Sequence, residues 1–248
     1  MAEETSKRLE LVCGVLEYLV EVCKKCRDEY AAIQHKYPCG LLDKFDPAFG
    51  ILKKTRRQSN RQYYSTSNAT IGIEVHAQLE LAAKGHEIVN PHPFATTIAE
   101  RIREKEWIAV GGEVPIVHAA ANMFTKADML VYDKKTNRPI LLEFKTGMDT
   151  GYRAKLISRW AHINIPGVDI YDSPQTRAHL QLAWMYWALK LKYALPRLEA
   201  YIIISNASGA KKPEKLAAWS EKNAQYIYEC VADACSKSPA STTSITSN

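Results

Sequence analysis

The 248-residue chain lacks any apolar run long enough to cross a bilayer. Stretches such as Tyr201 to Ile204 and Ile140 to Leu142 are short, whereas a spanning helix needs about 20 apolar residues. Met1 to Arg8 is acidic and then polar, without the charged-then-apolar order of a secretory leader. The expectation is an intracellular protein (cytoplasm or nucleus, not secreted) with no membrane partner. Cysteine is also sparse. Cys13, Cys23, Cys26, Cys39, Cys230 and Cys235 form no dense disulfide framework, and in a reducing compartment they are expected to be free thiols. Internal repeats are missing as well, which excludes solenoid and array architectures.

What is present is ordinary globular composition. Hydrophobic residues make up 46% and charged residues 24%, enough to bury a real core in one domain with an appended helical element. The net charge of +6 is modest but uneven. Five of the nine residues from Lys53 to Arg61 are basic (Lys53, Lys54, Arg56, Arg57 and Arg61), and Tyr63 and Tyr64 follow. Such a cluster suits a phosphate backbone with unstacked bases. A solvated loop is the bland alternative.

Periodicity predicts a helix over 4–35, where Leu9, Val12, Leu16, Leu19 and Cys23 recur at three- and four-residue steps. Its pattern fits either a cap on the fold or a self-association surface. Residues 41–69 read as loop. A second helix is expected over about 70–84, started by Asn68 or Thr70 and closed by Gly85. A third follows Pro91 and Pro93 and runs from Ala95 to Lys105. Trp107 to Val117 reads as a strand interrupted by Gly111-Gly112. Met129 to Tyr132 and Ile140 to Phe144 read as strands joined by a turn-rich linker. Pro174 opens a long helix to about 192, Tyr201 to Ser205 is a short buried strand, and a last helix spans about 213–235. The remaining residues form a low-complexity polar tail, expected to be disordered. Helix, three strands, helix, strand is the order of an α/β core, a mixed sheet flanked by helices. The expected division is 1–45 as a helical extension, 46–236 as the main domain and 237–248 as the tail.

The two strands around residue 135 carry the chemistry. Pairing Asp133 with Arg138 across a four-residue loop sets Asp128 opposite Glu143. Side chains alternate along a strand, so Asp128, Glu143 and Lys145 share one side. The other side would hold Ala127, Met129 and Val131 against Ile140, Leu142 and Phe144, all apolar. A one-residue slip would destroy both features. Two opposed carboxylates repel and raise one pKa. A hard divalent cation resolves that repulsion, and oxygen ligands suit Mg2+ or Mn2+, as one ion or two. Such an ion activates water and stabilises charge on a phosphate oxygen, while Lys145 can orient the water or neutralise developing charge. Glu-x-Lys by itself is common, and surface ion pairs are its bland reading.

Asp128 followed by Glu143-Phe-Lys145-Thr-Gly147 resembles the Asp…(Asp/Glu)-x-Lys motif of the PD-(D/E)XK nucleases. The trailing Thr-Gly is typical of their RecB-like exonuclease branch. Upstream, Gly72-Ile-Glu-Val-His76 is similar to that branch's Gly-x-x-x-His on the first helix. Glu113 stands where the family often has a glutamate on the first strand. Downstream, His179-Leu-Gln181-Leu-Ala-Trp-Met-Tyr186 resembles the glutamine motif of the helix after the active strands. The family's tyrosine position falls here on Met185, with Tyr186 one residue later. The resemblance spans roughly residues 70–206.

It implies a restriction-endonuclease-like core and a metal-dependent nuclease acting on DNA, as an exonuclease on ends or single strands, in recombination or repair. His76, Asp128, Glu143 and the Phe144 carbonyl would hold the metal. Asp128, Glu143 and Lys145 would carry catalysis. Glu113, Gln181, Tyr186 and the basic segment would contact substrate. Each has a plainer reading: a packed helical histidine for His76, a strand-edge charge for Glu113, a satisfied polar group beside Trp184 and Trp187 for Gln181. Two functional alternatives stay open, an RNA endonuclease of the His-containing type and a non-catalytic nucleic-acid-binding module. Some members of the branch bind an iron–sulfur cluster through one upstream and three C-terminal cysteines. This chain has Cys23, Cys26 and Cys39 upstream and only Cys230 and Cys235 late, so neither a cluster nor a zinc site is expected.

Overall fold

The computed structural model describes residues 2–34, 66–118, 123–146, 165–171, 173–195, 197–206 and 208–236. The basic segment Lys53 to Arg61, Tyr63, Tyr64, Cys39 and the tail 237–248 lie outside them. Three helices come first: α1 (Ala2–Gln34), α2 (Thr66–Ala83) and α3 (Pro93–Glu104). Then come β1 (Trp107–His118), β2 (Met123–Asp133), β3 (Arg138–Thr146), α4 (Pro174–Tyr193) and β4 (Glu199–Asn206). The short pieces β5 (Gly209–Ala210), β6 (Glu214–Lys215), α5 (Ala218–Lys222) and α6 (Ala224–Ser236) follow.

Helix ends follow local chemistry. Gly85, at φ +80°, closes α2 as a left-handed cap, with the His86 amide donating to the Leu81 carbonyl at 3.1 Å. Pro93 does not merely precede α3 but occupies its first turn, where its missing N–H costs nothing, and His92 Nδ1 accepts from the Phe94 amide. Ser173 caps α4 by accepting from the Thr176 amide at 3.1 Å. The single helix expected over 213–235 is instead β6 followed by α5 and α6. Residues Glu214 and Lys215 pair with Ile202 and Tyr201, so an available sheet edge outweighs local helical preference.

β1, β2 and β3 form an antiparallel meander, and β4 lies parallel to β3. Parallel neighbours require a crossover, and α4 lies within it. β5 and β6 both pair with β4 on its other edge. The sheet is therefore mixed and flanked by helices, an α/β architecture. One face packs Met129, Val131, Ile140, Leu142 and Phe144 against Val75 and Leu79 of α2 and Ile98 of α3. The other packs Leu130, Tyr132, Leu141 and Ile202 against Leu19 and Val22 of α1 and Leu180 and Trp184 of α4. Both faces are buried, which is why these strands read as nearly continuous apolar runs.

α1 belongs to this core. Leu19, Val22, Cys23 and Cys26 form its buried stripe, and Arg27 donates to the Gly112 carbonyl at 3.5 Å. The Tyr18 hydroxyl donates to the Tyr193 carbonyl, and Glu29 pairs with Lys192. Each fully buried aliphatic side chain contributes roughly 1.5–3 kcal/mol, so this stripe stabilises the fold substantially. Burial pushes the Cys23 thiol up to about 12 and raises Cys26 as well. These two thiols fill the core as small hydrophobes.

β1 runs through Gly111-Gly112 without breaking, its register with β2 shifting between Ala109 and Gly111. A Cβ on Gly111 would sit 2.9 Å from Cys23 Sγ on α1. One on Gly112 would sit 2.9 Å from the Glu80 Cα on α2. Helices thus press on the strand from both sides here, and only glycine admits them. Among the described residues, no helix is long and apolar enough to cross a membrane.

Candidate metal centre at the fork between two strands

The hairpin adopts the register read from the sequence. Asp133 pairs with Arg138, Val131 with Ile140 and Met129 with Leu142. The ladder stops there. β3 continues to Thr146 beside β4, while β2 stays with β1. A fork opens between β2 and β3 just beyond Met129 and Leu142, and Asp128 and Glu143 stand at its base.

A continued ladder would give the Phe144 amide to Ala127. Asp128 Oδ2 takes it instead, at 2.5 Å. A strand residue presents its N–H and C=O to the same edge, so the Phe144 carbonyl opens into the same fork. On β1, Gly112 pairs with Met129 and Val114 with Ala127, bracketing Glu113 opposite Asp128. Glu113 sits at φ +47°, a left-handed conformation that non-glycine residues adopt at a cost. The kink upsets side-chain alternation. Gly112 faces α2, yet Val114 packs with the α1 and α4 cluster. Ala127 follows its partner Val114 into that cluster. The sequence placed Ala127 with Met129 and Val131. The structure corrects this, because strict alternation does not survive the irregularity at Glu113 and Asp128.

α2 delivers the fourth group. Gly72 lies where a Cβ would be 3.6 Å from Thr146 Oγ1, so the helix crosses the end of β3, and one turn later His76 reaches the fork. His76 Nδ1 is 3.1 Å from Asp128 Oδ1 and 3.6 Å from Glu113 Oε1. Its ring stands edge-on to Phe144, with centroids 6.1 Å apart. Ligand atoms of His76, Glu113 and Asp128 all lie within 4.8 Å of one another. Lys126, also on β2, reaches Glu113 Oε2 at 3.5 Å.

Glu143 is 1% exposed. Lys145 donates to its Oε1 at 2.5 Å, while Oε2 is buried without a hydrogen-bond partner among the described residues. Leaving such an acceptor unsatisfied costs about 1–3 kcal/mol, more if it is charged, and a bound cation would satisfy it. Burial raises the Glu143 pKa and the Asp128 charge raises it further, only partly offset by Lys145 and His76. The Asp128 charge lifts His76 to about 10, against the opposing effect of burial. Both shifts run toward the protonated forms, the direction expected where carboxylates crowd together without a cation. The group close enough to share an ion is one imidazole nitrogen and two carboxylates, those of His76, Glu113 and Asp128, a donor set that suits a divalent ion such as Mn2+ or Mg2+, and Glu143 lies outside it.

Asp128, Glu143 and Lys145 lie near one another as the hairpin spacing predicts, and His76, expected from the resemblance, reaches Asp128 from α2. Glu113, assigned from sequence to substrate, lies within the potential ligand group. Gln181 is half-buried on α4, and its side chain has no hydrogen-bond partner among the described residues. Tyr186 is buried, its hydroxyl donating to Glu221 at 3.3 Å and accepting from Lys190 at 3.2 Å. That ties it to helix packing. Lys53, Lys54, Arg56, Arg57 and Arg61 lie outside the described residues. Sequence reasoning did not single out Lys126, because its approach to Glu113 depends on how β1 and β2 pair. The chain matches no family model and no curated protein.

Proposed function

We propose that the chain is a metal-dependent nuclease of the PD-(D/E)XK type, hydrolysing phosphodiester bonds of DNA as an exonuclease on ends or single strands. The observation that carries this reading is the fork. Two buried carboxylates, a histidine and a lysine converge where β2 and β3 part, and one buried carboxylate oxygen lacks a hydrogen-bond partner among the described residues.

His76, Glu113, Asp128 and Glu143, with the Phe144 carbonyl, would hold Mg2+ or Mn2+. Such an ion supplies Lewis acidity toward a phosphate oxygen and a nucleophile from water at neutral pH. Asp128 does two jobs: Oδ2 fixes the fork through the Phe144 amide, and Oδ1 holds the His76 ring in position. Lys145 keeps its ammonium at the Glu143 carboxylate, where it can orient the attacking water and offset charge gathering on the phosphate oxygens. The two-residue step from Glu143 to Lys145 favours the DNA-acting branch over RNA endonucleases of the His-containing type, whose lysine usually lies farther away.

The test is cleavage of labelled single-stranded DNA, duplex DNA and end-blocked RNA with Mn2+ or EDTA, beside the Lys145→Ala protein. Mn2+-dependent cleavage that disappears in the variant is expected, with DNA preferred. Nucleic-acid binding without cleavage of any substrate would make the chain a non-catalytic module.

A further inference from the structure

Among the described residues a second lysine, Lys126, stands at this site, and its position differs from that of Lys145. Lys145 is 21% exposed and sits on a nearly inaccessible carboxylate. Lys126 is 45% exposed and reaches Glu113, itself 18% exposed, from the outside. It extends from β2 opposite Pro115 of β1, on the solvent side of the ligand group. Glu113 is thus shared between two positive groups, with His76 at one oxygen and Lys126 at the other. An ion bound by His76, Glu113 and Asp128 would draw Glu113 inward and weaken its hold on Lys126. The lysine would then stand beside the site with a charge to offer to an incoming anion.

Resting on the nuclease reading above, we propose that Lys126 is a substrate-positioning residue: it trades Glu113 for a backbone phosphate of the bound strand once the metal is in place. This assigns Lys126 opposite effects on the site's two ligands. It competes with the metal for Glu113 and supports the nucleic acid, whereas a merely structural lysine would affect both in the same direction.

Lys126→Met keeps the apolar stem and removes the charge; Lys126→Arg restores the charge. Three readouts are needed on the full chain: Mn2+ affinity by calorimetry, KM and kcat, and binding of a fluorescein-labelled single-stranded oligodeoxynucleotide to Ca2+-loaded protein across a salt series. For Lys126→Met, Mn2+ affinity should rise about 3-fold as a nearby like charge disappears. KM should rise about 5- to 10-fold with kcat little changed, and the salt slope of oligonucleotide binding should fall by about one. Lys126→Arg should return KM and the slope toward wild type. The proposal is overturned if the wild type cleaves while Lys126→Met leaves KM and the slope unmoved, or if metal and nucleic-acid affinities fall together. A wild type that neither binds nor cleaves nucleic acid would overturn the nuclease reading itself, and this role with it.

Discussion

At the turn end of the β2–β3 hairpin, Asp133 accepts from the Lys135 amide and the Thr136 hydroxyl, both at 2.8 Å. At the fork end, Asp128 accepts one backbone amide and turns its other oxygen to a histidine from a distant helix. Both aspartates are largely buried, 9% and 7% exposed, and they terminate the same stretch of paired strand. Two glutamates repeat the contrast on neighbouring strands. Burial works against the charge of Glu199, yet Tyr201, Arg138 and Lys215 outweigh it and hold its pKa below the usual value. Glu143 has the heavier burial, one lysine donor and a carboxylate neighbour, and its pKa is raised.

At the turn end the carboxylates of Asp133 and Glu199 are supplied with donors from within, which is how buried charge is made structural, although Arg138 Nε is buried there without a hydrogen-bond partner among the described residues. The fork end is undersupplied, which is what a site awaiting a cation looks like. Even the cleft of about 380 Å³ at the turn end fits this division. Lys105, Lys135 and Lys212 surround Trp107 and Tyr201 there, but Asp133 is spent on its own turn and Glu104 is paired with Arg101.

The sharpest way to break the comparison is to disarm each end in turn. Asp128→Asn or Lys145→Ala should reduce Mn2+-dependent cleavage by at least ~100-fold, while Asp133→Asn should leave turnover within about twofold. Comparable losses at both ends in single-turnover assays would show that the fork is not the active centre. Asp133→Ala should instead lower stability by about 1–3 kcal/mol by stranding the turn donors, read as a shift of the denaturant midpoint. Glu143→Gln should leave the metal-free protein as stable or slightly more stable, because a site poised for a ligand is held at the expense of stability. Glu199→Gln should destabilise it, losing charge-assisted partners. The reverse order in EDTA would contradict the assignment of structural and functional ends.

Proton linkage sharpens the contrast further. His76 has its folded pKa raised from 6.5 to about 10. Its stabilising contribution to the metal-free protein is complete below the unfolded value, about 6.5, and lost as pH rises through about 10. A cation taking the same nitrogen competes with that proton, so the Tm gain from Mn2+ over EDTA should grow as pH rises across this window. In His76→Ala the gain should be smaller and should lose most of its slope with pH. The smallest effect is expected at Tyr186→Phe: about 1 kcal/mol or less of stability from its contacts with Glu221 and Lys190, and an unchanged KM. A several-fold rise in KM would restore Tyr186 to the substrate side.

Local patterning was enough for the hairpin register, because five apolar side chains on one face and a four-residue turn favour one pairing, and a slip would drive Asp128 and Glu143 onto that apolar face. It was also enough for the proximity of Asp128, Glu143 and Lys145, and for most helix ends, where proline, glycine and serine act on their immediate neighbours. It failed at Ala127 and at residues 213–217. Alternation is lost at Glu113 in the first case, and in the second the edge of β4 recruits a segment that local preference would have left helical.

The reach of His76 across the fork, the entry of Glu113 into the ligand group and the position of Lys126 above it were decided only by tertiary structure. So was the use of α1 as a wall of the core. Each depends on how close two elements approach, set by glycines that admit helices on both sides of β1 and by a ladder that stops at Met129 and Leu142. Spacing along a chain specifies which side chains share a strand or a helix face. Packing between elements decides which of those faces meet, and how much charge is left unsatisfied where they do.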